Sequence, residues 1–154
     1  MRNFRANFLN KIDTKGRVSV PASFRTVLGE DKTIYCMPSL ADPAIDVYTQ
    51  ERLDEMTEKF ERDHDPMSLE YRQFQMVMNG DVFPISIDGD GRIILPEDLR
   101  AYARITVEAS FVGAGPYFQI WEPSTHKAYR EDARRALQAK FGIQNGRMDR
   151  RSDG

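Results

Sequence analysis

Short stretches in which apolar and polar residues alternate run through both halves of the chain and predict β-strands. They cover residues 8–12, 17–20, 33–37 and 45–48 in the first half and residues 82–87, 92–95, 105–112 and 117–121 in the second half. A proline, Pro21 or Pro96, follows the second strand of each half and suits the first turn of a helix. We therefore expect short helices over residues 22–28 and 97–103.

Three longer segments place apolar residues at the spacing of one helix face. They predict helices over residues 50–62, 68–78 and 124–141. Pro66 separates the first two of these helices, and Gly142 ends the third. We expect residues 144–154 to form a disordered tail.

One motif occurs twice, 75 residues apart. The segment DTKGRVSVPASFR, which begins at Asp13, corresponds to DGDGRIILPEDLR, which begins at Asp88. The chain therefore consists of two copies of a unit of roughly 45–50 residues. Because such a unit buries little apolar surface alone, the two copies are expected to share one barrel-like core with helices outside, which is an α+β fold.

Both motifs begin with the same turn residues, which are Asp13, Gly16 and Arg17 in the first turn and Asp88, Gly91 and Arg92 in the second turn. Asp and Gly at the first and fourth positions are typical of a type I turn. Each arginine has two possible roles, which the sequence leaves open. Its guanidinium can brace the turn against the aspartate, or it can contact a phosphate or the two acceptors of a guanine edge.

The doubled motif resembles that of the MraZ family, bacterial transcriptional regulators with two tandem AbrB-like (SpoVT-AbrB) domains. The resemblance covers about residues 4–141 and implies a swapped-hairpin β-barrel made by both repeats within one chain. It assigns residues 4–53 to the first repeat, 54–78 to a helical connector, 79–124 to the second repeat, 125–143 to a C-terminal helix and 144–154 to the tail. Family members usually have glycine where this chain has Ala6.

The resemblance also implies a function in transcription. Members of the MraZ family form ring-shaped homo-oligomers and bind short direct repeats in double-stranded promoter DNA, and the resemblance implies the same for this chain. The resemblance places these repeats before the division and cell-wall gene cluster, including the regulator's own promoter. We therefore expect a cytoplasmic, nucleoid-associated protein whose partners are promoter DNA and further copies of itself.

The distribution of charge indicates which repeat would contact DNA. The chain has a formal net charge of −2, yet residues 1–25 contain six basic and one acidic side chain, whereas residues 26–75 contain five basic and twelve acidic ones. The first tip carries Lys15, and the second carries Asp90. Because phosphates attract cations, we expect the first repeat to contact DNA and the second chiefly to complete the core. The candidate DNA-binding residues are Arg5, Lys11, Lys15, Arg17 and Arg92.

Other classes of function find little support in the sequence. The single cysteine, Cys36, excludes a disulfide framework and four-thiolate zinc modules, and neither His64 nor His126 has a ligand at metal-binding spacing. No apolar run reaches the ~18 residues of a membrane span, and the N-terminus has no hydrophobic signal segment. We therefore expect no catalytic residues, metal, cofactor or small-molecule substrate. One alternative remains, an oligomeric protein-interaction scaffold without a specific DNA target, which the sequence pI of 5.7 favours.

Overall fold

The computed structural model describes residues 2–142 and contains helices together with antiparallel strands. In chain order the elements are β1 (Asn7–Lys11), β2 (Arg17–Ser19), α1 (Ala22–Leu28), β3 (Thr33–Pro38), β4 (Ile45–Tyr48), α2 (Gln50–Asp63), α3 (Leu69–Phe74), a π-helical turn (Gln75–Asn79), β5 (Phe83–Ser86), β6 (Arg92–Ile94), α4 (Glu97–Ala103), β7 (Glu108–Gly113), β8 (Phe118–Trp121) and α5 (Pro123–Phe141). The predicted α+β class is confirmed. The tail predicted over residues 144–154 lies outside the described residues.

The two short helices begin and end where the sequence predicts. Pro21 and Pro96 have extended ψ angles of 142° and 150°, and α1 and α4 begin at the residues that follow them. Each helix turns one apolar face inward, and the equivalent residues Phe24 and Leu99 are 1% and 0% exposed. The fixed φ of proline and the apolar spacing together explain why the local sequence was sufficient here.

Two predicted elements differ from the structure. The helix expected over residues 68–78 is α-helical only to Phe74 and then widens into the π-helical turn, in which Gly80 N–H donates to the Gln75 carbonyl at 3.1 Å. The strand expected over residues 105–112 begins only at Glu108. Ile105 instead closes the turn that follows α4, because its N–H donates to the Arg100 carbonyl at 2.9 Å and its side chain enters the core.

The two repeats exchange strands in the sheet. Six antiparallel strands follow the order β1-β7-β8-β4-β3-β5, and a separate two-stranded ribbon pairs β2 with β6. In this pattern, β1 of the first repeat pairs with β7 of the second, and β5 of the second pairs with β3 of the first. Because these ladders form an open sheet and a separate ribbon, the closed swapped-hairpin barrel stays a prediction.

One hydrophobic core contains residues of both repeats. Phe24 of α1 lies 4.9 Å from Phe118 of β8 and 5.5 Å from Phe4, measured between ring centroids. The chain divides into two compact units, Met1–Glu122 and Pro123–Gly154. The first unit contains this core. The second contains α5, none of whose residues is buried.

The chain enters β1 through a left-handed residue. Ala6 has a φ of 75°, a conformation that costs an L-residue about 1–2 kcal/mol. Its carbonyl accepts a hydrogen bond of 2.8 Å from Gly113 N–H, and a Cβ added at Gly113 would lie 2.4 Å from the Phe4 carbonyl oxygen. The positive φ of Ala6 favours glycine, the residue that the resemblance implies at this position.

Candidate nucleic-acid interface

The first turn is held together by a single aspartate. One carboxylate oxygen of Asp13 accepts hydrogen bonds from the N–H groups of Lys15 and Arg17, both at 2.9 Å. The other oxygen accepts from Arg17 Nε at 2.7 Å. Gly16 N–H donates to the Asp13 carbonyl at 3.0 Å, and Gly16 has the positive φ of 92° that favours glycine. The turn therefore fixes the direction in which the Arg17 side chain leaves the backbone.

The second turn repeats this arrangement. Asp88 accepts hydrogen bonds of 2.9 Å from the N–H groups of Asp90 and Arg92, and a longer one of 3.4 Å from Arg92 Nε. Gly91 has a φ of 79°, and its N–H donates to the Asp88 carbonyl at 3.0 Å. Both arginines therefore brace their turns, one of the two roles that the sequence left open.

The two turns differ in whether the outer nitrogens of their arginines already make hydrogen bonds within the chain. In the second turn the Asp90 carboxylate accepts from Arg92 Nη2 at 3.2 Å. In the first turn the equivalent residue is Lys15, and within residues 2–142 neither Nη atom of Arg17 donates a hydrogen bond. The Arg17 side chain is 51% exposed. The outer fork of Arg17 is therefore open to a ligand, whereas that of Arg92 is partly occupied.

The hydrogen bonds within the turns also shift the acidity of their aspartates. Those from the backbone and side chain of Arg17 lower the pKa of Asp13 from 3.8 to about 2. The backbone N–H of Arg92 contributes most to lowering the pKa of Asp88. Both carboxylates are therefore charged at neutral pH and remain acceptors for their arginines.

Each repeat supports the turn of the other repeat through the arginine that ends its motif. Arg100 donates from Nε to the Leu95 carbonyl at 3.0 Å and from Nη1 to the Thr14 carbonyl in the first turn at 3.4 Å. Arg25 makes the equivalent bond to Val20 and packs against Gly91, where an added Cβ would lie 2.7 Å from its Nε. Sequence reasoning gave these arginines no role, although their recurrence at the last motif position was the available signal.

Three further basic residues of the N-terminal segment lie on β1 or before it. Lys11 lies at the end of β1 near the first turn and pairs in register with Glu108. Arg5 precedes the other end of this five-residue strand, about 17 Å away, so the structure does not place it beside the first turn. Arg2 is engaged in an ion pair of 2.5 Å with Asp31.

One lysine that the sequence analysis did not consider lies beside the second turn. Lys32 lines a cleft together with Asp88 and Gly89, and its carbonyl accepts a hydrogen bond of 2.9 Å from Ile87 N–H. It is 56 residues from Asp88 in the sequence, so only the pairing of β3 with β5 brings the two together. Lys32 therefore lies beside the second turn, in a cleft that Asp31 also lines.

A separate pocket of about 530 Å³ lies between the sheet and the helical connector. Its walls include Met37, Phe60 and Phe74, and its polar residues include Asp42 and Asp46. Burial raises the pKa of Asp46, which accepts hydrogen bonds from Tyr48 and Gln119. None of the described residues that line this pocket is Lys or Arg, so its charge is the opposite of what a phosphate backbone requires.

Residues 2–142 contain no group of three or more His, Cys, Asp or Glu side chains that could hold a metal ion. Among the described helices, none combines the length and apolar character needed to cross a membrane. Cys36 is fully buried in the core, and this burial raises the pKa of its thiol.

Comparison with known proteins finds the same family along nearly the whole chain. The family described as "MraZ protein, putative antitoxin-like" matches residues 78–143. A protein of Parvibaculum lavamentivorans named Transcriptional regulator MraZ is 40% identical, over 89% of this chain and 86% of its own length. Another of that name, from Azorhizobium caulinodans, is 36% identical over 95% of this chain and 96% of its own length. With this identity over almost the full length of both chains, the protein belongs to the MraZ family.

Proposed function

We propose that the protein is a transcriptional regulator that binds double-stranded promoter DNA chiefly through its first turn. The main supporting observation is the difference between the tips. The open guanidinium fork of Arg17 stands beside exposed Lys15, whereas Asp90 occupies the equivalent arginine in the second turn. A guanidinium fork fits a guanine edge or a phosphate, and a lysine supplies a point charge for the backbone. Lys11 extends this basic surface, and Arg5 and Arg92 are further candidate contacts.

Each chain offers too few cations to bind DNA tightly alone, so the proposal includes assembly into a homo-oligomer. A few phosphate contacts per subunit support only salt-sensitive binding, with a Kd of ~10⁻⁴–10⁻⁶ M. Linking subunits so that several first turns reach one DNA molecule raises the avidity by ~10²–10⁴ without new contacts. We therefore propose a ring-shaped homo-oligomer, in which the exchanged strands of each chain complete a swapped-hairpin barrel.

The proposed target is a set of short direct repeats, as the resemblance implies. Subunits related by rotation around a ring present the same turn in the same sense, so they fit copies of one sequence in one orientation. We propose that these copies lie in the promoter before the division and cell-wall cluster, including this protein's own gene. The protein would then act in the cytoplasm, in association with the nucleoid.

Lysine and aspartate variants at the two tips test which turn binds. Lys15→Ala removes one charge-assisted contact per engaged subunit, so each engaged subunit contributes about a tenfold loss of affinity and a reduction of about 1 in the salt slope. Asp90→Ala, which removes an acid, leaves the affinity unchanged or raises it. Lys59→Ala is the matched control, since Lys59 lies on α2 in an ion pair with Asp63. The assay is a gel-shift titration on the promoter at several salt concentrations, and equal losses from Lys15→Ala and Asp90→Ala would refute this assignment.

The pocket between the sheet and the helical connector favours the alternative function, an oligomeric protein-interaction scaffold. Its apolar walls and its aspartates would suit a protein partner better than DNA. The two functions differ in their salt dependence, because the logarithm of DNA affinity falls linearly with the logarithm of salt concentration. Salt-insensitive capture of a protein together with no binding to promoter DNA would favour the scaffold.

A further inference from the structure

The ribbon of β2 and β6 presents one exposed face built from both repeats. In each strand the middle residue, Val18 or Ile93, is buried, and the two flanking residues are exposed. The flanking residues are Arg17 and Ser19 on β2 and Arg92 and Ile94 on β6. Their side chains share the outer face because alternate residues of a strand point to the same side.

Within this face, an arginine of one repeat stands opposite a residue of the other repeat. Arg17 pairs in register with Ile94, and Ser19 pairs with Arg92. Side chains directly opposite each other in an antiparallel pair have Cβ atoms about 4.5–5.5 Å apart. Ile94 is 59% exposed, which is unusual for an isoleucine in a strand whose neighbour Ile93 is 1% exposed. A large apolar side chain is therefore held at the surface beside the open fork of Arg17.

The two halves of this face are related by the repeat but are chemically different. Arg17 and Arg92 are equivalent positions, and so are Ser19 and Ile94. One half therefore combines an arginine with an isoleucine, and the other combines an arginine with a serine. Such a face distinguishes the two directions along a DNA duplex, whereas identical halves would read a palindrome.

The major groove of B-DNA admits a two-stranded ribbon and displays the groups that these side chains recognise. Guanine presents two acceptors to an arginine fork, and thymine presents a C5-methyl group to an apolar side chain. Base pairs are stacked 3.4 Å apart. An arginine and an isoleucine separated by one strand spacing therefore reach the same base pair or neighbouring ones.

We propose that the β2–β6 ribbon enters the major groove and that Ile94 contacts the methyl group of a thymine next to the base contacted by Arg17. This inference rests on the proposed DNA-binding function. It makes the second repeat part of the recognition surface, and it makes Ile94 the residue that distinguishes the two halves of the face.

Replacing single thymines by deoxyuracil tests the contact, because this removes only the methyl group. The probe is promoter DNA in which each thymine of one direct repeat is replaced in turn, and affinity is measured by gel-shift titration. The wild-type protein should lose about fourfold at one or two thymines, the effect of exposing one methyl group. Ile94→Ser, which copies the first repeat, should weaken binding to unmodified DNA by a similar factor and show no further loss at those thymines. Ile94→Val, a milder change, should show an intermediate loss.

Leu9→Ala provides the matched control, since Leu9 is an exposed apolar residue on β1 outside the ribbon. This variant should keep the wild-type response to deoxyuracil. A wild-type protein that binds the promoter but responds to no thymine would overturn the inference and leave the proposed function intact. The inference would also be overturned if Ile94→Ser kept the full loss of affinity on deoxyuracil substitution, whatever subunit number light scattering shows for that variant. Failure of the wild-type protein to bind the promoter at all would overturn both.

Discussion

The sharpest test of the turn architecture is the substitution Gly16→Ala. Gly16 has a φ of 92°, and strain of this kind costs a residue with a side chain about 1–3 kcal/mol. The new Cβ would also lie 2.4 Å from the Leu95 carbonyl oxygen and 3.0 Å from Arg100 Nε. That carbonyl belongs to the backbone and already accepts the Arg100 hydrogen bond, so it cannot move without loosening the support from the second repeat. Overpacking of this sort costs a further ~1–3 kcal/mol.

We therefore expect Gly16→Ala to lower the free energy of unfolding by about 2–6 kcal/mol. Substitutions at two other glycines separate the cost of backbone strain from the cost of overpacking. Gly29 has a φ of 64° but nothing within 4 Å of an added Cβ, so Gly29→Ala should cost only conformational strain of about 1–3 kcal/mol. Gly89 has neither feature, so Gly89→Ala should change stability by less than about 0.5 kcal/mol.

The measurement is urea unfolding of all three variants, followed by the fluorescence of the single tryptophan, Trp121. The protein concentration is held constant, because assembly contributes to apparent stability. If Gly16→Ala were no more destabilising than Gly29→Ala, the close approach of the second repeat to the first turn would carry no energetic weight. That result would refute the reasoning.

Two further predictions concern the backbone and the charge of the motif. Arg104 caps the C-terminus of α4 with a φ of 59°, at the position that Gly29 occupies in the first repeat. Arg104→Gly should therefore raise the free energy of unfolding by about 0.5–1 kcal/mol in the same urea assay. A loss of stability would contradict this prediction. The pKa of Asp13 is lowered from 3.8 to about 2 in the folded protein, so its contribution to stability is present above about pH 4 and is lost as the pH falls towards 2. The difference in urea midpoint between the wild type and Asp13→Asn should therefore shrink between pH 6 and pH 3, and a constant difference would show that the Asp13 charge does not stabilise the turn.

The local elements followed from the sequence because their signals lie within a few residues. Pro21 and Pro96 fix the starts of α1 and α4, and Asp13 with Gly16 specifies a turn whose hydrogen bonds span only four residues. The sequence also identified the difference between the tips, because Lys15 and Asp90 stand at equivalent motif positions. It could not show that the Asp90 carboxylate accepts from Arg92, since that depends on the orientation of the side chains.

The sequence alone determined that two copies of one strand–turn–strand–helix unit are present, where their turns lie and how the turns differ in charge. The tertiary structure decided how the copies combine. Strand exchange sets Ile94 opposite Arg17, places Arg100 beneath the first turn and brings Lys32 beside the second. Local sequence encodes backbone angles and apolar faces, but strands with the same alternation can pair in many ways. The choice among partners separated by 50 to 100 residues is made by the shared core that the whole chain must bury.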